Sequence, residues 1–322
     1  MSVGAPGLLA EEERYERAFH DVARSPLQLF WRRLRRDRVA LASLAFVVVL
    51  VLVAVAAPLV VSLAGAPGPS VQDTRAVDAF GTPLGPSADH LFGVDTLGRD
   101  VFSRTVHGAR VSLLVGLVGT GVAVLLGVTV GLLAGYYRGW VDTLLSRTVD
   151  VVLSFPVLLL GLGIASACSL GDGCFSGAVT PGLRTVILVI ALVSWTSIAR
   201  VVRGQVLSLR EREFVLAARS LGASDRRIVF REILPNLAAP IVVYSSLLLP
   251  QTILFEAALS FLGVGVSPPT ASWGAMIADA AENFDTQWWY MLFPGVALLL
   301  TVLALNLLGD GVRDALDPRA EH

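Results

Sequence analysis

Residues 205–235 read QVLSLREREFVLAARSLGASDRRIVFREILP. This is the longest polar segment between apolar runs, and it is patterned. Phe214, Ala217, Ala218 and Leu221 fall at i, i+3, i+4 and i+7, the spacing of one apolar helical face. Gly222 follows, as expected of a residue just past a helix C-terminus. Ser224 can cap a second helix, and Asp225 suits its positive N-terminal end. Arg227 stands where a full capping box needs Glu or Gln. The second helix runs through Pro235 into the next apolar run. The segment therefore reads as a short, arginine-rich helix-turn-helix with a narrow face of small residues that another surface can approach closely. A solvated basic loop is the plainer reading, but it does not account for Ala217-Ala218 followed by a helix-stopping glycine.

The runs on either side are long enough to cross a membrane. A helix rises 1.5 Å per residue, so about 20 apolar residues span the hydrocarbon core. Six stretches qualify: Val39–Ala64, Ala109–Tyr136, Leu144–Ala167, Leu183–Val202, Leu237–Gly263 and Tyr290–Gly309. None alternates as a barrel strand would, and lipid requires each backbone to satisfy itself, so all six are expected to be helices. The expected class is an all-α polytopic membrane protein with six transmembrane helices.

Arginine placement orients the spans. With the N-terminus in the cytoplasm, 20 of the 25 basic residues fall inside. Only Arg75, Arg99, Arg104, Arg110 and Arg184 fall outside. The outside loops are then residues 65–108, 168–182 and 264–289. Trp288-Trp289, just before the last span, read as an interfacial belt, and Trp273–Asn283 as a short amphipathic helix near a pore mouth. Cys168 and Cys174 share the middle outside loop, where an oxidising face would allow a disulfide.

Within the spans, Gly127, Gly131 and Gly135 form a small-xxx-small row suited to close helix packing. Pro156, Pro240, Pro250 and Pro294 permit kinks. Glu256 is a candidate pathway-lining or interhelix carboxylate. Asp150 is placed to pair with Arg147 at i,i+3.

Composition narrows the function. Of the 322 residues, 54% are hydrophobic and 16% charged, with a net charge of −1 and a mean hydropathy of +0.70. A soluble domain carries about 25% charged residues. All 25 basic residues are arginine, so the chain has no Walker A lysine and cannot supply its own P-loop. His20, His90, His107 and His322 all lie outside the spans and form no metal pattern, so no metal site or cofactor is expected in this chain. The polar residues 1–38 are too many for the n-region of an ordinary signal peptide. No inverted repeat favours an ion-coupled secondary transporter, and no metal motif or nucleophile–base pair favours an intramembrane enzyme.

The 205–235 segment resembles the cytoplasmic "EAA" loop of ABC importer permeases. Ala217, Ala218, Gly222, Leu234 and Pro235 fall on matching positions. Leu216 stands where that loop carries Glu and Glu232 where it carries Ile; in the peptide-importer branch the acidic residue comes earlier, as Glu213 does here. His90-Leu91-Phe92-Gly93-Val94-Asp95-Thr96-Leu97-Gly98-Arg99-Asp100-Val101-Phe102-Ser103-Arg104 is also similar to dipeptide, oligopeptide and nickel permeases. So are Pro268-Pro269, Trp273-Gly274 and the run Asn306 to Pro318. The resemblance covers roughly Arg32 to Pro318 and points to the C-type subunit.

It implies a type I ABC importer permease fold that forms a heterodimer with a homologous second permease. Two ATP-binding subunits would hold ATP and Mg, and an extracytoplasmic substrate-binding protein would deliver peptides. Nickel chelates, glutathione and oligosaccharides are the alternative cargoes. The implied organisation is a cytoplasmic N-terminal segment (1–38), a first transmembrane helix (39–64) and an external loop (65–108). A permease core of five transmembrane helices (109–310) follows, carrying the coupling loop 205–235, and then a cytoplasmic tail (311–322).

Overall fold

The computed structural model describes residues 26–78, 81–169, 173–174, 177 and 179–317. His20, His322, residues 1–25 of the expected N-terminal segment and residues 318–322 of the expected C-terminal tail lie outside the described residues. Among the described residues the chain is helical, with only isolated β-bridges in its loops, such as Gln72 with Arg99 and Cys174 with Val179.

Helix α1 (Pro26–Leu34) precedes α2 (Arg38–Val55) and α3 (Ala57–Leu63). Helix α4 is Val101–Tyr137, α5 Gly139–Ser154, α6 Val157–Ser169 and α7 Leu183–Leu209. Helix α8 is Glu213–Ser220, α9 Ala238–Phe261, α10 Trp273–Ala280 and α11 Trp288–Leu316. Five helices (α2, α4, α7, α9 and α11) are each long and apolar enough to cross a membrane, and α5 with α6 makes a sixth crossing if the bent pair is one span.

Helices α7 and α11 run on past their expected ends, to Leu209 and Leu316, and three larger differences from the sequence reading have a local cause. The expected helix 39–64 breaks at Ala56, because Pro58 in the first turn of α3 cannot continue the hydrogen-bond ladder. The expected helix Leu144–Ala167 is two helices meeting at 90°. Phe155 is extended there, as the residue before Pro156 is biased to be. Helix α4 begins at Val101, inside the expected loop 65–108, because Asp100 caps it by accepting the Ser103 N–H at 2.7 Å. At 37 residues α4 is about 55 Å long, so it extends well beyond a hydrocarbon core.

The bundle is organised around α4 and α7, its most extensive helix pair. The glycine row makes that closeness possible. A Cβ at Gly131 would sit 2.7 Å from the Ala199 carbonyl oxygen, and one at Gly135 2.7 Å from Val206 Cβ. Gly127 lies against Ile198 and the Trp195 carbonyl, so only hydrogen fits at these three positions. Helix α2 lies at the periphery and exposes Val48, Val49, Leu52 and Val55, a surface suited to lipid.

The loop before α4 folds into an ordered cap on the opposite end from α8. Asp95 is buried and accepts the N–H groups of Leu97 and Arg99, each at 2.9 Å, and Arg99 Nε at 2.6 Å. His90 Nδ1 lies 2.9 Å from Asp100 Oδ2. The cap is sealed by Phe92 stacked on Phe293 and by Trp289, whose indole N–H donates to the Val94 carbonyl at 3.1 Å. Trp289 is therefore a buried cap residue, and only Trp288 remains exposed as a belt residue would be. Helix α10 ends at Ala280 and is packed into the bundle, with Trp273 Nε1 donating to the Thr105 carbonyl at 2.9 Å.

Candidate functional site

Helix α7 ends at Leu209 and α8 begins at Glu213, so only the three residues Arg210–Arg212 join the two in a tight turn. The far end of α8 is closed by two hydrogen bonds. Gly222 N–H donates to the Arg219 carbonyl and Ala223 N–H to the Ala218 carbonyl, both at 3.0 Å. This is the Schellman pattern, and it places Gly222 at φ +80°. A Cβ on Gly222 would meet nothing within 4 Å, so the glycine is required by backbone conformation and not by crowding.

Two surfaces of α8 have different partners. Val215 is fully buried and joins Ile228, Ile233 and Leu237 in a core with Leu132, Tyr136, Ile198, Val202 and Val206. That core clamps the whole 213–237 segment onto the ends of α4 and α7. The other surface is bare: Phe214 is 39% and Leu221 87% exposed, and Ala217 is also exposed. Large apolar groups left in water beside small ones are what a docking surface presents. Of the face read from the i, i+3, i+4, i+7 spacing, Phe214, Ala217 and Leu221 are thus exposed and Ala218 half-buried, and the core contact comes from Val215, between its members.

Polar ties reinforce the clamp. Tyr136 Oη donates to Asp225 Oδ1 at 2.6 Å, joining α4 to the segment after α8. The Arg210 guanidinium donates to the Tyr136 carbonyl and lies over the Tyr136 ring. Arg138 Nη2 donates to Glu211 Oε1 at 2.8 Å. Ser224 begins the next helical stretch but makes no side-chain cap bond, so the expected serine cap is replaced by this anchoring of Asp225. The stretch itself is not uniform: Asp225–Arg227 is α-helical, Ile228–Ile233 π-helical and Leu234–Asn236 α-helical. The wider turn lets Ile228 and Ile233, five residues apart, both point into the core.

The remaining sequence-derived residues are placed as follows. Glu213 is exposed in the first turn of α8 and borders an open cleft with Leu209, Arg212 and Asn236. Ala218 is half-buried, Leu234 packs against the Val215 core, and Pro235 is exposed. Glu256 is fully buried, far from α8 along α9, and accepts hydroxyl bonds from Ser112 at 3.0 Å and Ser260 at 2.8 Å. Its geometry is that of an interhelix tie. Cys168 and Cys174 are joined, with Cα atoms 4.7 Å apart. Asp150 lies 3.9 Å from Arg147 and accepts from Arg200 Nη2 at 3.0 Å.

Sequence reasoning missed Val215, Tyr136, Arg210 and the pairing of Asp142 with Arg203. The last is bidentate, with Arg203 Nη2 donating to Asp142 Oδ2 at 2.8 Å, and it ties α5 to α7. Of these, Val215 is apolar but flanked by Phe214 and Leu216, so residue type alone does not single it out.

Comparison with known proteins identifies the family and the fold. Residues 127–322 match the model of the family described as binding-protein-dependent transport system inner membrane component. Residues 25–77 match the N-terminal TM domain of oligopeptide transport permease C. The dipeptide transport system permease protein DppC of Alkalihalophilus pseudofirmus is 40% identical over 92% of this chain and 90% of its own length. The glutathione transport system permease protein GsiD of Escherichia coli is 42% identical over 93% of this chain and 92% of its own. A solved inward-facing MetNI methionine ABC transporter structure superposes with a TM-score of 0.54 at 20% identity, covering 66% of this chain and 96% of that one, and so shares the fold. The chain belongs to the binding-protein-dependent transport system inner membrane component family, as a C-type transmembrane permease subunit of an ABC importer.

Proposed function

We propose that this chain forms half of the translocation pathway of a peptide importer and is driven through α8 by separate ATP-binding subunits. Its N- and C-termini are cytoplasmic in this reading, which puts α8 on the side where ATP is. A homologous second permease supplies the other half of the pathway, and an extracytoplasmic binding protein delivers the substrate. ATP and Mg are bound, and ATP hydrolysed, by two partner subunits; this chain has no lysine for a P-loop. Its own role is mechanical.

The observation that carries this reading is the two-sided construction of α8. One side is sealed to α4 and α7 through Val215, while the other leaves Phe214, Ala217 and Leu221 uncovered. A helix held this way transmits force to the bundle without yielding. When the ATPases close, displacement of α8 must carry the ends of α4 and α7 with it, a rigid-body shift of the kind that switches transporters between two states. The Schellman closure at Gly222 keeps α8 short and stiff. Glu213, at its start, is the acidic residue assigned to the same contact.

Peptides are the cargo favoured by the relatives, whose names state dipeptide and glutathione transport. Glutathione, whose γ-glutamyl bond sets it apart from α-peptides, remains the alternative cargo, with nickel chelates and oligosaccharides. The test is reconstitution of the complete importer in liposomes with ATP inside and a mixed dipeptide pool outside. ATP-dependent accumulation that requires the binding protein supports the proposal. Accumulation of glutathione, nickel chelates or oligosaccharides, with dipeptides ignored, overturns the cargo assignment. Uptake driven by an ion gradient without the ATPases overturns the mechanism.

A further inference from the structure

The face opposite α8 carries exposed arginines without a carboxylate partner among the described residues: Arg75, in the loop before α4 and bordering neither cavity described below, and Arg110 and Arg184. Of the arginines on that face, Arg99 and Arg104 are buried in the cap against Asp95, with Arg99 Nε at 2.6 Å and Arg104 Nε at 3.5 Å from its carboxylate. Arg110 and Arg184 differ from them. Both are exposed, and among the described residues neither is paired with a carboxylate. They come from different helices, Arg110 from the first third of α4 and Arg184 from the first turn of α7.

Both border cavities that adjoin. Arg110 and His107 line one of ≈ 390 Å³, and Arg184 lines one of ≈ 540 Å³. The two share Leu183 and Thr270, so they form one groove across the start of α7. No acidic residue lines either cavity among the described residues. The start of α7 borders the groove through Gly182 and Leu183, and Gly182 provides no side-chain cap for the positive end of this 27-residue helix. His107 Nδ1 is engaged with the Ser103 carbonyl at 2.9 Å, which orients its ring at the groove wall. A guanidinium near the end of a membrane bundle belongs against protein or water and not lipid. Two of them bordering adjoining cavities beside a helix N-terminus suit a carboxylate.

We propose that Arg110 and Arg184, on either side of the uncapped start of α7, form an outer-mouth site for a substrate carboxylate. The ligand is the free C-terminus of a peptide as it leaves the binding protein. This rests on the peptide reading and the orientation given above. The site would hold the incoming chain by one end and align it with the pathway, so that the permease adds its own selection to that of the binding protein.

The experiment uses the complete reconstituted importer and two probes: a mixed dipeptide pool with free C-termini, and the same pool C-terminally amidated. Uptake is compared for wild type, R110Q/R184Q and R110K/R184K, with one binding protein throughout. Any change in the free-acid to amide ratio then originates in the permease. The account expects R110Q/R184Q to lower that ratio at least fivefold, chiefly by slowing free-acid uptake, and the lysine pair to restore most of it. The concentration of binding protein that half-stimulates ATPase activity stays unchanged. Equal loss of both pools, or unchanged uptake of both, overturns the site. A shift in that half-stimulating concentration at an unchanged ratio makes the groove a binding-protein contact and also overturns it. If the double variant fails to assemble, R110Q and R184Q are read singly against the same ratio. If the wild type carries neither pool, the peptide reading itself fails, and this inference with it.

Discussion

Glu256 Oε2 accepts a hydrogen bond from Ser112 Oγ at 3.0 Å, joining α9 to α4 within the membrane-spanning part of the bundle. The other carboxylate oxygen accepts from Ser260 at 2.8 Å, and the residue is fully buried. A carboxylate in that position is tolerated only where protein satisfies it. Here it unites two helices that meet little polar chemistry elsewhere, apart from Thr120 and Thr252, whose hydroxyls lie 2.8 Å apart. Replacing Glu256 by leucine leaves two buried hydroxyls without their acceptor, at a cost of about 2 kcal/mol. Thermal unfolding of the purified chain in detergent is expected to show this as a lower midpoint. Glu256→Gln keeps an acceptor for one hydroxyl and is expected to lose about half as much. Equal midpoints for wild type and Glu256→Leu would count against the tie.

Close approach of α4 and α7 makes a sharper prediction. At Gly131 an added Cβ falls 2.7 Å from a backbone oxygen of Ala199, which has little freedom to move. At Gly121, on the same helix, nothing lies within 4 Å. Gly131→Val is therefore expected to cost about 2–3 kcal/mol through overpacking and to reduce the folded yield severely. Gly121→Ala is expected to be neutral or stabilising by about 0.5 kcal/mol. Folded yield by size-exclusion of the detergent-solubilised protein reads both, and equal tolerance would contradict the packing described.

How much of this was legible in the sequence depends on whether a feature is local or tertiary. The glycine row and Gly222 were readable because close helix approach and a left-handed backbone each demand a particular residue. The start of α4 was not. Phe102-Ser103-Arg104-Thr105-Val106-His107 reads as polar loop, and it is helix because Asp100 caps its start, Trp273 donates to the Thr105 carbonyl and Asp95 lies within ion-pair distance of Arg104, all contacts from outside the stretch. The right-angle break at Phe155 lay behind a legible proline, but apolar residues on both sides made the run look continuous. On α8 the apolar spacing was visible, while its direction was not. Whether Phe214 or Val215 faces the bundle depends on the turn at Arg210–Arg212, and that turn is fixed by contacts from α4.

The tie between Tyr136 and Asp225 tests whether α8 moves the bundle or merely rests on it. Tyr136→Phe removes one hydrogen bond to a carboxylate, worth about 1.5–3 kcal/mol if wholly lost, and leaves the Val215 core in place. The chain is expected to assemble normally with its ATPases. Transport per ATP hydrolysed in liposomes is expected to fall by about threefold to tenfold, because the segment after α8 can then slip against α4. An unchanged ratio of uptake to hydrolysis would show that the apolar core alone suffices.

Central to the account is that ATP-binding subunits grip the bare side of α8. The most direct measurement is site-specific photocrosslinking in the assembled importer from positions 215, 217 and 221. Val215 is fully buried against the bundle, whereas Ala217 and Leu221 are uncovered. The account predicts adducts to the ATP-binding subunit from positions 217 and 221 and none from position 215. Adducts from 215 alone, or from none of the three in a complex that still transports, would contradict it.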